Sequence, residues 1–348
     1  MIDVELLKKI CEVPGAPGFE KRIRNFVVET IEPLVDEIKV DNMGNIIALK
    51  KGASEKKVLV AAHLDEISFI VTHIDEDGFI RIHPLGGFDP KTLTAQRVIV
   101  HGRKDLMGVM GSKPIHIMKP EERSKAPQLQ DYFVDVGLPK EEVCKLVAVG
   151  DPITRERELI EVGNCVNSKS IDNRVSVFIL VEALRELKDQ QLPYDLYAAF
   201  TVQEEVGLRG AMSVAHQVNP DFGLALDTTI AFDVPGAQPH EMVTRLGKGC
   251  AIKIMDGSVI SDGRMVEFLK DQATKNNIQW QAEILPAGGT DTAALQRYGK
   301  NGAISGAISV PTRHIHSVIE MANKEDIRSA IDLLKAAVLN LDKWNWEH

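Results

Sequence analysis

A chain of 348 residues, 44% hydrophobic and 26% charged, has the length and balance of a folded protein with one large domain and a smaller one. Its 50 acidic against 41 basic residues leave a formal net charge of −9, which disfavours nucleic-acid binding, since that needs a broad basic face. The most apolar helical run, VSVFILVEAL, is too short to span a bilayer and carries Glu182, so no membrane span is expected.

The opening MIDVELLKKICEV lacks the basic flank, long apolar stretch and small-residue cleavage site of a secretory signal. Ile2, Leu6, Leu7 and Ile10 share a face instead, predicting a helix that ends before the turn-rich VPGAPGFE. A second helix follows from about Glu20. IKVDNMGNIIALK then predicts strand–turn–strand with Asn42, Gly44 and Asn45 at the bend. Val58–Ala62 is a compact apolar run of the kind found in strands buried on both faces. From about Ile67 to Ser168, short β-type runs such as FIVTHI, QRVIVHG and YFVDVG alternate with Gly, Pro and Asp turns. KPEERSKAPQ reads as an exposed loop, and PKEEVCKLVAVG as the one short helix. That texture predicts a small β-barrel or sandwich at 67–167, inserted into an α/β domain made of 1–66 and 168–348. DNRVSVFILVEALRELKDQ carries an apolar stripe through Val177, Val181, Leu184 and Leu187, which predicts an amphipathic helix. DLYAAFTV, FGLALD, GCAIKIM and AISGAISV read as core strands. The four cysteines, Cys11, Cys144, Cys165 and Cys250, form no CxxC pair, which fits reduced thiols and a cytoplasmic protein.

Acidic and histidine residues fall where these strands end. VLVAA runs into His63, Asp65 and Glu66; LYAAFTV into Glu204 and Glu205; FGLAL into Asp227; AISV into the loop holding His314 and His316. Asp172 opens the long helix. In open α/β sheets ligands bind beyond the carboxyl ends of strands, so four strands would deliver metal-type ligands to one edge. Each residue alone also has a plain reading: a loop histidine, an N-cap aspartate, or carboxylates at a helix start. Convergence is what favours a site. A mixed His/Asp/Glu set without cysteine suits Zn²⁺, Co²⁺ or Mn²⁺ in a hydrolytic centre. GxSxG, HExxH, P-loop and strand-borne GxGxxG motifs are absent, and HEMVT at His240 lacks its second histidine.

Six segments in order resemble the tetrahedral aminopeptidases, the glutamyl-aminopeptidase-like metallopeptidases: Ala62–Phe69, Ser168–Arg174, Val202–Ala211, Leu224–Thr229, Gly288–Leu295 and Pro311–Glu320. The resemblance covers essentially the whole chain. It implies a mixed-sheet α/β/α catalytic domain of the zinc-exopeptidase type with an inserted β-barrel-like dimerisation domain, assembled as dimers into a dodecamer. It also implies two divalent metals per subunit, zinc or cobalt foremost and manganese an option. His63 and Asp227 would hold one, Glu205 and His316 the other, with Asp172 bridging. Glu204 would be the general base toward a water shared by the metals, and Asp65 would orient His63. Gly288, Gly289 and Asp291 would wall the substrate pocket.

The implied activity is release of N-terminal residues from peptides. Asn173, His314 and Cys250 depart from the family pattern, standing where Asp, Tyr and Pro are usual. A deacylase, dipeptidase or carboxypeptidase on the same scaffold is the alternative, since a metal pair does not itself choose the amide. A non-catalytic assembly subunit is the alternative from another class, and the retained Glu204 argues against it. A glycosidase would need a positioned carboxylate pair rather than a histidine-rich metal set.

Overall fold

The apolar run at Val58–Ala62 becomes the strand Lys57–His63, buried from Val58 onward, in the middle of an eleven-stranded sheet. The computed structural model describes residues 1–348. Along the strand, Val58, Val60 and Ala62 join the largest hydrophobic cluster, whereas Leu59 and Ala61 join a smaller one. That alternation is the two-residue period of a strand with both faces covered, and it yields an α/β/α sandwich. Four strands run parallel side by side: Asp195–Thr201, Lys57–His63, Phe222–Ile230 and Ile304–Arg313. Their carboxyl ends therefore share one edge. Antiparallel neighbours extend the sheet on both sides, Ile46–Lys50 and Glu37–Val40 on one, Glu320–Asn323, Cys165–Ser168 and Ile160–Val162 on the other. Cys250–Met255 also pairs with Ile304–Arg313 and carries the parallel strand Trp280–Ile284 beyond it.

The helix Ile171–Glu186 packs on Phe222–Ile230 and Lys57–His63, and it is in turn covered by the helices Val4–Glu12 and Lys324–Asn340. Only Glu182, Arg185 and Glu186 escape burial, so the expected amphipathic helix is buried on nearly every side. The apolar positions that read as one stripe are continuous with Val175, Phe178, Ile179 and Leu180, which are buried in the same hydrophobic cluster. Arg209–Val218 and Thr292–Arg297 cover the opposite face of the sheet.

Ser68–Ile74, Ile80–Leu85, Phe133–Asp135, Asp105–Gly111, Arg97–His101 and Pro152–Arg155 close a six-stranded barrel in that spatial order. It has its own core of Phe69, Val71, Ile80, Val98, Val100, Met110, Val134 and Ile153. The helix Lys140–Leu146 covers it, and the charged KPEERSKAPQ stretch is mostly exposed, with one helical turn at Pro120–Arg123. The chain is back in the large sheet by Ile160–Val162, earlier than the expected return at 168, because that strand and Cys165–Ser168 form a hairpin along Glu320–Asn323. Arg22 ties the barrel to the second helix by a bidentate ion pair with Asp105 at 2.6 and 2.8 Å. No helix is long and apolar enough to cross a membrane.

Candidate active site

Backbone pairing between Lys57–His63 and Phe222–Ile230 stops at Ala61 and Ala225. Two residues further along each strand, His63 and Asp227 keep the same register and hence the same face. The strands part there, opening a crevice, and His63 Nε2 lies 3.9 Å from Asp227 Oδ1. Asp227 does not end its strand, which continues to Ile230 beside Thr312. Asp172 enters from the start of its helix, after Ser170 in the left-handed region (φ 53°), and the Asp172–Asn173 peptide is cis. Its Oδ1 lies 3.5 Å from His63 Nε2 and its Oδ2 3.3 Å from His316 Nε2. Glu205 Oε2 is 3.7 Å from His316 Nε2, and Glu204 Oε2 is 3.7 Å from His63 Nε2. Two donor groups result, His63–Asp172–Asp227 and Asp172–Glu205–His316, with ligand atoms of each within 4.8 Å of one another. His314 is exposed and belongs to neither.

Both imidazoles are aimed by main-chain carbonyls. His63 Nδ1 lies 3.0 Å from the Asp65 carbonyl and His316 Nδ1 3.1 Å from the Gly87 carbonyl, which gives Nδ1–H a partner and turns each Nε2 toward the carboxylates. Gly87 belongs to the barrel's connection between Ile80–Leu85 and Arg97–His101, so the insert reaches into the site. Asp65 thus orients His63 through its carbonyl. Its carboxylate also stands by that ring, Oδ1 3.5 Å from His63 Nδ1, while Oδ1 and Oδ2 accept from the Glu204 and Glu205 N–H groups, each at 3.0 Å. Glu20 extends this brace, accepting from Gln203 N–H at 3.1 Å and Gly18 N–H at 2.8 Å. Gly210 is required where the next helix begins, since a Cβ there would meet Asn45 Oδ1 at 2.3 Å and the Val202 carbonyl at 2.4 Å. Glu66 faces away from the cluster and pairs with Lys169 at 2.6 Å.

Glu320 escaped the sequence reading. It is fully buried, and its two oxygens accept from Asp172 N–H at 2.8 Å and His316 N–H at 3.2 Å, tying together the segments that carry the shared aspartate and the loop histidine. Burial, opposed by Arg155, pushes its carboxyl up to about 7. A glutamate opening the short strand Glu320–Asn323 was the available signal.

The cluster is crowded with buried acid. Burial, then the neighbouring Asp172, raises Glu205 to about 8; burial, opposed by His63 and reinforced by Asp172, raises Asp227 to about 8. Burial likewise lifts Glu204 well above the carboxylate range, whereas in Asp172 the two histidines outweigh burial and hold the pKa low. Burial works against an imidazolium at His63 and His316, yet the surrounding carboxylates raise both, His316 to about 10. Glu205 Oε1 is buried without a hydrogen-bond partner. Close-packed carboxylates, two imidazoles presenting Nε2 and an unused carboxylate oxygen are the chemistry of a divalent-cation site, and each donor group could hold one.

A cavity of about 360 Å³ opens on this cluster, lined beyond it by Thr229, Ile230, Lys253, Asp256, Leu285 and Gly288 among others. Gly288 and Gly289 line it; Asp291 does not. Asp291 is buried behind His63, where Thr201 Oγ1 donates to it at 2.6 Å, and burial raises it to about 6. Of the departures from the family pattern, Asn173 donates its amide to the Leu226 carbonyl at 2.9 Å, a bond an ionised aspartate could not make. Cys250 is buried away from the site, its N–H donating to Ser329 Oγ at 2.7 Å.

Residues 44–333 match the M42 glutamyl aminopeptidase family. The chain is 34% identical to the lysyl aminopeptidase of Pyrococcus furiosus, with 98% of each chain covered. It is similar in structure to a TET aminopeptidase from a marine-sediment Thaumarchaeota archaeon (TM-score 0.94, 38% identity, 97% of this chain and 96% of that one). It is also similar to the TET1 peptidase of Pyrococcus horikoshii, which can assemble into a tetrahedron or a large octahedral shell (TM-score 0.88, 32% identity, 97% and 99% covered).

Proposed function

The chain belongs to the M42 glutamyl aminopeptidase family and is a hydrolase of peptide bonds; from that membership we propose that it removes N-terminal residues from peptides with two divalent cations per subunit. His63 and Asp227 would hold one, Glu205 and His316 the other, and Asp172 would lie between them. Zinc or cobalt suits the donors best, with manganese also accommodated. When bound, such cations polarise a carbonyl and acidify water. The observation that carries this reading is that Asp172 offers one oxygen to each donor group while Glu204 stands at the rim of the first.

The protein's own side chains supply the proton traffic and the positioning. Glu204, buried and with its pKa raised, is suited to take a proton from the attacking water and return it to the departing amine. Asp65 and Glu20 fix the turn that carries it. The cavity floor is rich in carboxylates, which favours a free, positively charged N-terminus. Lys253, the one lysine or arginine lining the cavity, is already paired with Glu283, so no lysine or arginine is free to meet a C-terminal carboxylate. That arrangement supports an aminopeptidase over a carboxypeptidase.

Assembly into a homo-oligomer, dimers building a dodecamer, is supported by the TET1 neighbour and by Met107, Val109, Ile115 and Ile117, all exposed on the insert. Unpaired cysteines support a cytoplasmic setting. To test the activity, one peptide is assayed free and N-acetylated in the presence of zinc or cobalt. Hydrolysis of the free form alone is expected; equal cleavage of both would point to a deacylase or endo-acting enzyme instead.

A further inference from the structure

Lys253 and Glu283 are register partners on the parallel strands Cys250–Met255 and Trp280–Ile284. Their side chains meet directly: Nζ of Lys253 bonds Oε1 of Glu283, which also accepts from Thr229 Oγ1 at 2.8 Å. On its other side Lys253 lies 3.6 Å from Asp256 Oδ2. Asp256 is itself held by Ser258, Val259 and Thr290, the last at 2.9 Å from its Oδ2. All three charged groups are buried: Lys253 is 1%, Asp256 3% and Glu283 0% exposed. One ammonium therefore serves two carboxylates at the wall of the cavity that opens on the catalytic cluster, and Glu283 Oε2 remains without any partner.

We propose that Glu283 sets the charge selectivity of this cavity: by holding Lys253 it excludes peptides that begin with Asp or Glu and leaves uncharged and basic N-terminal side chains accepted. The inference rests on the aminopeptidase reading above. At about 360 Å³ the cavity has the size of a small-molecule site, enough for one terminal residue. Thr229, Ile230, Leu285 and Gly288 give that residue mixed, uncharged walls. An incoming carboxylate finds the single ammonium already committed and adds a third negative charge to a wall with one in excess. Capturing Lys253 would leave Glu283 buried and unpaired, which is a strongly unfavourable exchange. An ammonium on the substrate meets the opposite balance. Overall similarity does not decide the matter, since the family carries the glutamyl name while the Pyrococcus furiosus relative is a lysyl aminopeptidase.

The test compares kcat/KM for Glu-, Leu- and Lys-amide substrates bearing the same leaving group, on wild type, Glu283→Gln, and Glu283→Gln combined with Lys253→Met. For wild type the Glu substrate should fall at least about tenfold below Leu, with Lys within about tenfold of Leu. Glu283→Gln removes the excess negative charge and leaves Lys253 only Asp256, so it should raise the Glu-to-Leu ratio by about tenfold or more, and the double variant should lose that gain. The wild-type ratio needs no variant to fold: Glu turned over as well as Leu overturns the selectivity and leaves the aminopeptidase reading standing. An unchanged ratio in folded Glu283→Gln also overturns it. Failure to cleave any of the three substrates removes the activity reading, and this inference with it.

Discussion

Glu320→Gln isolates the brace beneath the proposed catalytic cluster. Glutamine keeps the length and shape of the side chain but exchanges one oxygen for an NH₂ group. At present each oxygen accepts one main-chain N–H, from Asp172 at 2.8 Å and His316 at 3.2 Å. Whichever way the amide turns, one buried N–H then faces a donor. An unsatisfied buried group of that kind costs about 1–3 kcal/mol. Because both affected segments carry proposed ligands, the penalty is expressed in the site's geometry rather than spread over the fold. One to three kilocalories correspond to roughly 5- to 150-fold in an equilibrium constant. We expect kcat/KM to drop about 10- to 100-fold and the zinc concentration for half-maximal activity to rise by a similar factor, in line with the loss seen when groups supporting metal ligands are removed. The assay is steady-state hydrolysis of an aminoacyl amide across a zinc titration, with bound metal quantified in parallel. A folded variant with both activity and zinc dependence within about twofold of wild type would refute the reasoning, since it would mean that Asp172 and His316 hold their positions without Glu320.

Glu204→Gln should reduce kcat by about 100-fold or more while bound metal stays near the wild-type level; activity within a few-fold of wild type would remove Glu204 as the base. His316→Ala should lower metal content and activity, whereas His314→Ala, whose side chain is exposed and outside both donor groups, should change metal content little; the reverse pattern would exchange the two assignments. Glu20 supplies a pH test. Burial, with Asp65 adding, raises its carboxyl from 4.5 to about 7, so the native state binds a proton that the unfolded chain has already lost. Its contribution is therefore complete below about pH 4.5 and fades as pH climbs through about 7, by up to about 3 kcal/mol. Glu20→Gln carries no such dependence, and urea unfolding at pH 5 and 7.5 should show the variant gaining stability relative to wild type at the higher pH; a constant difference would count against the raised carboxyl.

Much of this site was legible because its donors follow compact apolar runs. Val58–Ala62 and Leu224–Leu226 read as buried strands, and residues placed just beyond or late in such strands gather at one edge of a parallel sheet. The insert was legible too, from short β-runs punctuated by turns. What stayed hidden depends on neighbours far away in sequence. The helix Ile171–Glu186 looked half exposed because nothing in its own residues announces that two further helices cover it. Asp65 read as a partner for the His63 ring and lies beside it, but its carboxylate's hydrogen bonds to residues about 140 positions on, at Glu204 and Glu205, could not be read from sequence. Lys253 and Glu283 each read as one polar residue in a strand; their pairing appears only once the register of Cys250–Met255 against Trp280–Ile284 is known. Asp291 lies next to the pocket-wall glycines in sequence but turns inward at the helix start, toward Thr201.

The carbonyl of Gly87 that steers His316 has a consequence for anyone hoping to pare this enzyme down. Excising the barrel to obtain a compact monomer would take away not just a candidate assembly surface but the anchor of an imidazole at the chemical centre, along with Arg155, whose guanidinium donates to the Ser317 carbonyl in the same loop. A truncated catalytic half could keep every proposed ligand in its sequence and still leave one of them free to swing.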